Sequence, residues 1–413
     1  MNNPLLELDS LPAFGRIEAG HARPALQKVL AENANDQIEP TWDVVVAAMT
    51  PEDREKRAQL RVRLHRVEAT EPDPLPTAYV YVNGKDAAPQ AYVLRMGDPK
   101  NRLDPVDPSV PRVLKASFEI PKASVGRRAA LAAWLASAGN PLTARVMVNR
   151  IWQFRMGTGI VRTPNDFGVM GDRPSNQALL DWLASEFVAN GWSVKTIDRL
   201  IVTSNVYLES ALPDKDREAI DPDNRLYWRM NRKRMEGETL RDTILSVTGS
   251  LNPKLGGRPV RVPIEPEVYN LIFTEHERDG LWPVSPDKNV QNRRSIYLYD
   301  KRSVRLPLLT AFDQPDAITS CPVRPVSTHP LQALSMLNSD FMQEQSRAFA
   351  ERLLKECRKD NRACEVKTAW KLALARTPSP AERNLAAKFF AHGGNLADMC
   401  LALLNRNEFV YVP

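Results

Sequence analysis

The stretch NPLTARVMVNRIWQFRMGTGIVRTPNDFGVMGDRP, Asn140 to Pro174, decides the fold class. Asn140 and Pro141 are helix-start residues, and the glycines Gly157 and Gly159 mark a stop. Between them Val146, Met147, Ile151 and Phe154 cover much of a 3.6-residue cylinder, so the segment reads as a helix apolar almost all round. Yet Arg145, Asn149, Trp152 and Gln153 share one stripe of it. A guanidinium buried there needs a counter-charge, because an unpaired buried charge costs several kcal/mol. Asp166, Asp181 and Glu238 are the candidate partners.

The loop that follows holds four glycines and two prolines but no GK[ST], so it is not a phosphate-binding P-loop. Asn165 and Asp166 before Phe167 and Gly168 fit an Asx turn. Two readings stay open. Arg145, Asn149 and Asp166 form a pocket that grips an anionic or hydroxyl-rich ligand, or they form one polar network that fastens the loop to the core.

Helical patterns flank the stretch on both sides. GRRAALAAWLASAG precedes it, closed by Gly139; RPSNQALLDWLASEFVANGW follows, with Leu179, Leu180, Leu183 and Phe187 on one face and Gly191 at its end. SVKTIDRLIVTSNVY starts on a Ser193 cap. NRKRMEGETLRDTILSVTGSL reads as one helix ended by Gly249, and the last third is helical again, with an S-x-x-E capping box at Ser379 and Glu382. The strands expected are TAYVYVNG, QAYVLRMG and RRSIYLYDKRS. DPKNRLDPVDPSVPRVL carries too many prolines for regular structure. The organisation expected is a partial N-terminal helical segment at 1–76, a strand pair and extended arm at 77–123, and a helical domain at 124–413. The class is mainly α, bundle-like, with small antiparallel β elements and long Pro/Gly-rich connections.

Composition is that of an ordinary globular protein, 43% hydrophobic and 26% charged, with 56 basic against 50 acidic side chains mixed along the chain. No apolar run reaches membrane-spanning length, and MNNPLLELDSLPAFGR lacks the charged and apolar regions of a signal peptide. Cys321, Cys357, Cys364 and Cys400 make no CxxC pair, and five scattered histidines offer little to a metal, so no metal or cofactor is expected. Cys357 and Cys364 are near enough to close a small loop, though free buried thiols are the first expectation.

Three further constellations could carry chemistry. Arg234, Glu238, Arg241 and Asp242 fall within two turns if helical; the acids share a face, the minimum for paired-carboxylate catalysis, but salt-bridge lacing is the plainer reading. The cluster Arg225, Arg229, Arg232, Lys233 and Arg234, interleaved with Tyr227 and Trp228, superficially suits single-stranded nucleic acid; the acids that follow argue against it, and no nucleic-acid partner is expected. Cys321 and His329 supply a thiol and an imidazole, but SCPVRPVSTHP reads better as a turn entering a helix capped by Ser327 or Thr328.

The long run from Asn140 to Ser204, with DPDNRLYWRMNRKRMEGETLRDTIL, RRSIYLYDKRS, FDQPDAITSCPVRPVSTHPLQALSMLNS, LALARTPSPAE and LLNRNEFVYV, resembles the planctomycete-specific family known as domain of unknown function 1553. The resemblance covers roughly Ala78 to the C-terminus. It implies the last part of large exported proteins that often carry a cytochrome-c-like domain, hence a periplasmic or extracellular setting with that domain as partner in cis or trans. The chain departs from the family at Phe154 and Arg155, and at Asn176, Gln177 and Ala178, where relatives tend to carry histidine-bearing motifs. The expected function is a module binding a polysaccharide or a partner protein through Arg145, Asn149, Trp152 and Arg241. The alternative is a metal-independent carbohydrate hydrolase or lyase using Asp166 or the Glu238 and Asp242 pair.

Overall fold

In the computed structural model, residues 49–70, 80, 89–114, 120, 126–265, 282–302, 304–357 and 361–412 are described. Most of the expected N-terminal segment and the TAYVYVNG strand lie outside them. Helix α1 (Pro51–Thr70) opens on Thr50, whose hydroxyl accepts the Asp53 N–H, with Glu52 and Asp53 in the first turn where the helix dipole favours acids.

Strand β1 (Ala91–Leu94) pairs antiparallel with β2 (Arg102–Val106). That corrects the expectation that the proline-rich arm is irregular. Pro105 sits opposite Tyr92, and in a two-stranded sheet each strand is an edge, where a missing N–H need not break a ladder bond.

Helices α2 (Arg127–Leu135), α3 (Thr143–Met156), α4 (Gln177–Ala189) and α5 (Val194–Val202) follow the sequence signals closely. The Asn140 side chain accepts the N–H groups of Leu142 and Thr143, and Gly157 at φ +85° ends α3. Asn176 caps α4 and Ser193 caps α5. Val148, Ile151, Trp152 and Met156 of α3 meet Leu180, Leu183 and Phe187 of α4 and Ile197 and Ile201 of α5 in one apolar core. Burying a large side chain of this kind is worth about 1.5–3 kcal/mol, so this three-helix face supplies the main driving force here.

After α6 (Lys215–Ile220) the expected single helix from Asn231 divides. Lys233–Arg234 is strand β3, and α7 starts only at Gly237, running Gly237–Thr248. Pairing of Lys233 and Arg234 with Val412 and Tyr411 keeps the chain extended before the helix, and Gly237 lets the helix start close to its neighbour, since a Cβ there would stand 3.1 Å from the Leu309 backbone. RRSIYLYDKRS is not a strand either. It forms α8's exit and a 3-10 turn at Ser295–Tyr297, after α8 (Lys288–Gln291), with isolated parallel bridges Asn252↔Arg293 and Val260↔Leu298. Asp242 accepts the Ser295 N–H at 2.7 Å, which holds that turn against α7.

The remaining helices are α9 (Pro307–Ala311), α10 (Pro330–Asn338), α11 (Asp340–Glu356), α12 (Arg362–Leu374), α13 (Pro380–Ala391) and α14 (Leu396–Leu404). Met342, Phe349 and Leu353 of α11 are fully buried and pack with α7 and α14. The Ser379 and Glu382 capping box forms as its spacing predicts. Cys357 and Cys364 are joined by a disulfide, correcting the expectation of free thiols. The chain closes with α15 (Asn407–Val410) and β4 (Tyr411–Val412), which pairs with β3 and buries Phe409 and Val410.

Helices make up about 51% of the described residues, whose sheets have two strands each, so the class is mainly α as expected. Two compact units result: one from Pro76–Met235, Ser320–Val326 and Asn407–Pro413, the other from Met1–Leu75, Glu236–Thr319 and Ser327–Arg406. The 124–413 stretch contributes to both. Among the described residues no helix is long and apolar enough to cross a membrane.

Candidate functional site

The opening stretch resolves into separate fastenings and not one network. Asn149, fully buried, donates to the Val161 carbonyl at 3.0 Å and accepts the Val161 N–H at 2.8 Å. Arg145 pairs with Asp181 at 2.6 Å and donates to the Pro141 carbonyl at 2.5 Å, with a third of its side chain still in solvent. Gln177 and Arg145 hold the Asp181 carboxyl below the usual carboxylate range by hydrogen bonding. Trp152 Nε1 donates to the Tyr227 hydroxyl at 2.9 Å, and Gln153 donates to the Pro322 carbonyl. Burial pushes the Tyr227 phenol up, against the Trp152 bond.

Asp166 is exposed and forms the Asx turn its sequence suggests, accepting the Gly168 N–H at 2.8 Å, while Thr163 donates to its carbonyl. The tie between that turn and α3 comes from Arg150, which donates to Asn165. Sequence reasoning passed over Arg150 because it lies off the Arg145–Asn149 stripe.

In the second unit Arg241 and Asp242 take up similar work. Arg241, 5% exposed, donates to the carbonyls of Arg293 (2.9 Å) and Gln291 (2.6 Å) and to the Ser295 hydroxyl (3.2 Å). Desolvation pulls its guanidinium down to about 10 with Asp242 pushing back, so it stays charged at neutral pH. Asp242 holds Ser295 and lies 3.6 Å from Arg294. Because Arg234 belongs to β3, the expected Arg234–Glu238–Arg241–Asp242 helical stripe is shortened to the last three, with Glu238 one turn before Asp242 on α7. Asp166 lies in the first unit and the Glu238 and Asp242 pair in the second.

Cys321 and His329 likewise fall in different units. Cys321 is exposed, and its thiol contacts the Val323 carbonyl. His329, not Ser327 or Thr328, is the residue before α10, and Ser327 donates to Asp313 at 2.7 Å. That strong pull on a carboxylate takes the hydroxyl away from the helix end.

What the structure adds is a cavity of about 290 Å³ in the second unit. Val262, Ile264, Leu306, Leu308 and Phe341 make its walls, the buried Arg241 contributes to it, and the exposed Lys288–Glu344 ion pair (2.6 Å) belongs to its lining. Arg241 stands 5.7 Å from the Phe341 ring centre, a cation–π arrangement that keeps the ring in place. Of this lining only Arg241 was singled out from sequence. Phe341 follows a Ser339 cap, and nothing in its spacing separates it from a core residue.

A family model described as PSD1, a protein of unknown function (DUF1553), matches residues 127–390, more than half of the chain. No curated protein and no solved structure matches it.

Proposed function

The chain belongs to the PSD1 family of proteins of unknown function (DUF1553), and we propose that it serves there as a binding module whose ligand seat is the cavity walled by Leu306, Leu308 and Phe341. The observation that carries this reading is that cavity: about 290 Å³, with an aliphatic and aromatic part from Val262, Ile264, Leu306, Leu308 and Phe341 and a polar part that includes Glu265, Asp340 and the Lys288–Glu344 pair. Sites of this size and make-up take an apolar group and orient it with a few polar contacts. We favour a partner protein over a polysaccharide because Val262, Ile264, Leu306, Leu308 and Phe341 offer a seat for one large apolar side chain, while Glu265, Asp340, Gln291 and Asn292 in the same lining suit the polar backbone and charges that flank it in a peptide. The ligand class is therefore a peptide segment presenting one large apolar side chain next to charge.

The setting proposed is extracytoplasmic, with the chain acting as the C-terminal part of a planctomycete-specific assembly and a cytochrome-c-like domain as partner. The Cys357–Cys364 disulfide supports an oxidising compartment. The hydrolase or lyase alternative draws less support, since Asp166 and Asp242 each spend a carboxylate oxygen on a backbone N–H that shapes a turn.

The test is a displayed-peptide selection against the chain and against Leu308→Asp, with a glycan array as the second arm. Peptides sharing an apolar anchor, bound by the parent and lost in the variant, support the proposal; glycan binding alone moves the reading to the polysaccharide.

A further inference from the structure

The first unit holds a second concavity that the α3 residues do not use. Beside the Gly157–Gly159 turn, Arg162, Arg173 and Arg225 line a niche together with Ser175 and one carboxylate, Asp223. Arg162 is tethered, donating to the Asp223 carbonyl at 3.2 Å and standing 3.9 Å from its carboxylate. Arg173 and Arg225 are exposed, and among the described residues neither pairs with an acid. The Ser175 hydroxyl is buried there without a hydrogen-bond partner. Buried hydroxyls of that kind need an explanation, and an absent acceptor is one.

The backbone that carries Arg225 is fixed independently of any ligand. Asp221 accepts the N–H groups of Arg225 (2.9 Å) and Leu226 (2.7 Å), and the Asn224 amide donates to Arg229 O and Asn231. Tyr227 holds a positive φ of 56°, a conformation an aromatic residue keeps only when its surroundings impose it, and Asn224, a residue type that tolerates this region, sits at 50°. Guanidinium groups on a held loop lose less freedom on binding than groups on a free one.

Free volume in the niche is about 10 Å³, room for roughly one water-sized atom. We propose that the niche binds a tetrahedral oxyanion, a sulfate or phosphate group. One oxygen enters and accepts the Ser175 proton, and the others stay at the mouth toward Arg173 and Arg225, with Arg162 beside them. A carboxylate would leave one oxygen outside for both exposed guanidiniums to share, whereas a tetrahedral oxyanion leaves up to three.

The experiment follows arginine Nε–Hε NMR signals of the whole chain during titration with sodium sulfate, sodium phosphate and, at matched ionic strength, sodium chloride. Arg173→Gln and Arg225→Gln assign the two signals. Saturable shifts with sulfate or phosphate but not chloride are expected; at the Arg162 signal, which both substitutions leave in place, binding is weakened at least about tenfold in the double variant and reduced in Ser175→Ala. The oxyanion that saturates at the lower concentration names the preferred ester. Equal shifts in chloride, or an unchanged affinity in the double variant with its melting temperature retained, overturn the proposal.

Discussion

Asn149 and Val161 exchange two hydrogen bonds across twelve residues, the amide side chain satisfying both the N–H and the C=O of one buried residue. This is the fastening that carries the loop after α3 back onto its own helix. Gly159 lies under it, and a Cβ there would come within 2.8 Å of the Asn149 amide.

Asn149→Ala leaves both Val161 groups buried and unpaired, at about 1–3 kcal/mol for each. The expected loss is about 2–6 kcal/mol in urea unfolding, with faster hydrogen exchange at the Val161 amide. Gly159→Ala is expected to give the same exchange signature by pushing the amide aside, and the two changes together should cost less than their sum. Unchanged Val161 exchange in both variants counts against the fastening role.

The two arginines singled out for binding should part company. Arg145 meets Asp181 in partial solvent, so Arg145→Ala is expected to cost at most about 1 kcal/mol. Arg241→Ala strands two buried carbonyls and a hydroxyl, and is expected to cost about 3 kcal/mol or more. Thermal unfolding of the pair of variants checks this; equal melting temperatures refute it.

Removing the Cys357–Cys364 bond should destabilise the second unit by about 2.5 kcal/mol, the loop-entropy figure for a closed loop of about eight residues. Intact mass before and after reduction should differ by two hydrogens, and the Cys357→Ser/Cys364→Ser chain should melt lower. Cys400 stays a thiol throughout, since burial pushes its pKa up and keeps it protonated.

Glu382 provides a pH signature. The Arg376 guanidinium, followed by the Ser379 N–H, holds its carboxyl far below the usual glutamate range. A folded-state pKa below the unfolded one gives stability that is complete above about pH 4.3 and is lost as pH falls toward the folded value. Glu382→Gln should therefore flatten the acid limb of the stability profile below about pH 4 and cost about 1–2 kcal/mol at neutral pH. A limb of unaltered slope in the variant speaks against this pair as its source.

The helices were legible because their caps are local: Asn140, Asn176, Ser193 and Ser379 bond to N–H groups two or three residues on, and their sequences say so. Pairings set by distant partners were not. Pro105 looked incompatible with a strand until Tyr92 proved to be its neighbour, and the Arg293–Ser303 alternation mimicked a strand that Asp242 turns into a 3-10 helix. Arg145, Asn149 and Asp166 were expected in one network and instead each bonds a separate partner, since stripe membership does not say which group lies opposite. The cavity was invisible because Leu306, Leu308 and Phe341 have the spacing of ordinary core residues, and only the space left between them distinguishes it.

Whether this cavity seats a ligand is read from the affinity of one selected peptide for the parent chain and for Leu308→Asp. Calorimetry should show saturable one-to-one binding to the parent with a negative heat-capacity change, as burial of apolar surface requires. In the variant it should be at least about tenfold weaker at an unchanged melting temperature. Equal affinity for both chains would place the peptide somewhere other than this cavity.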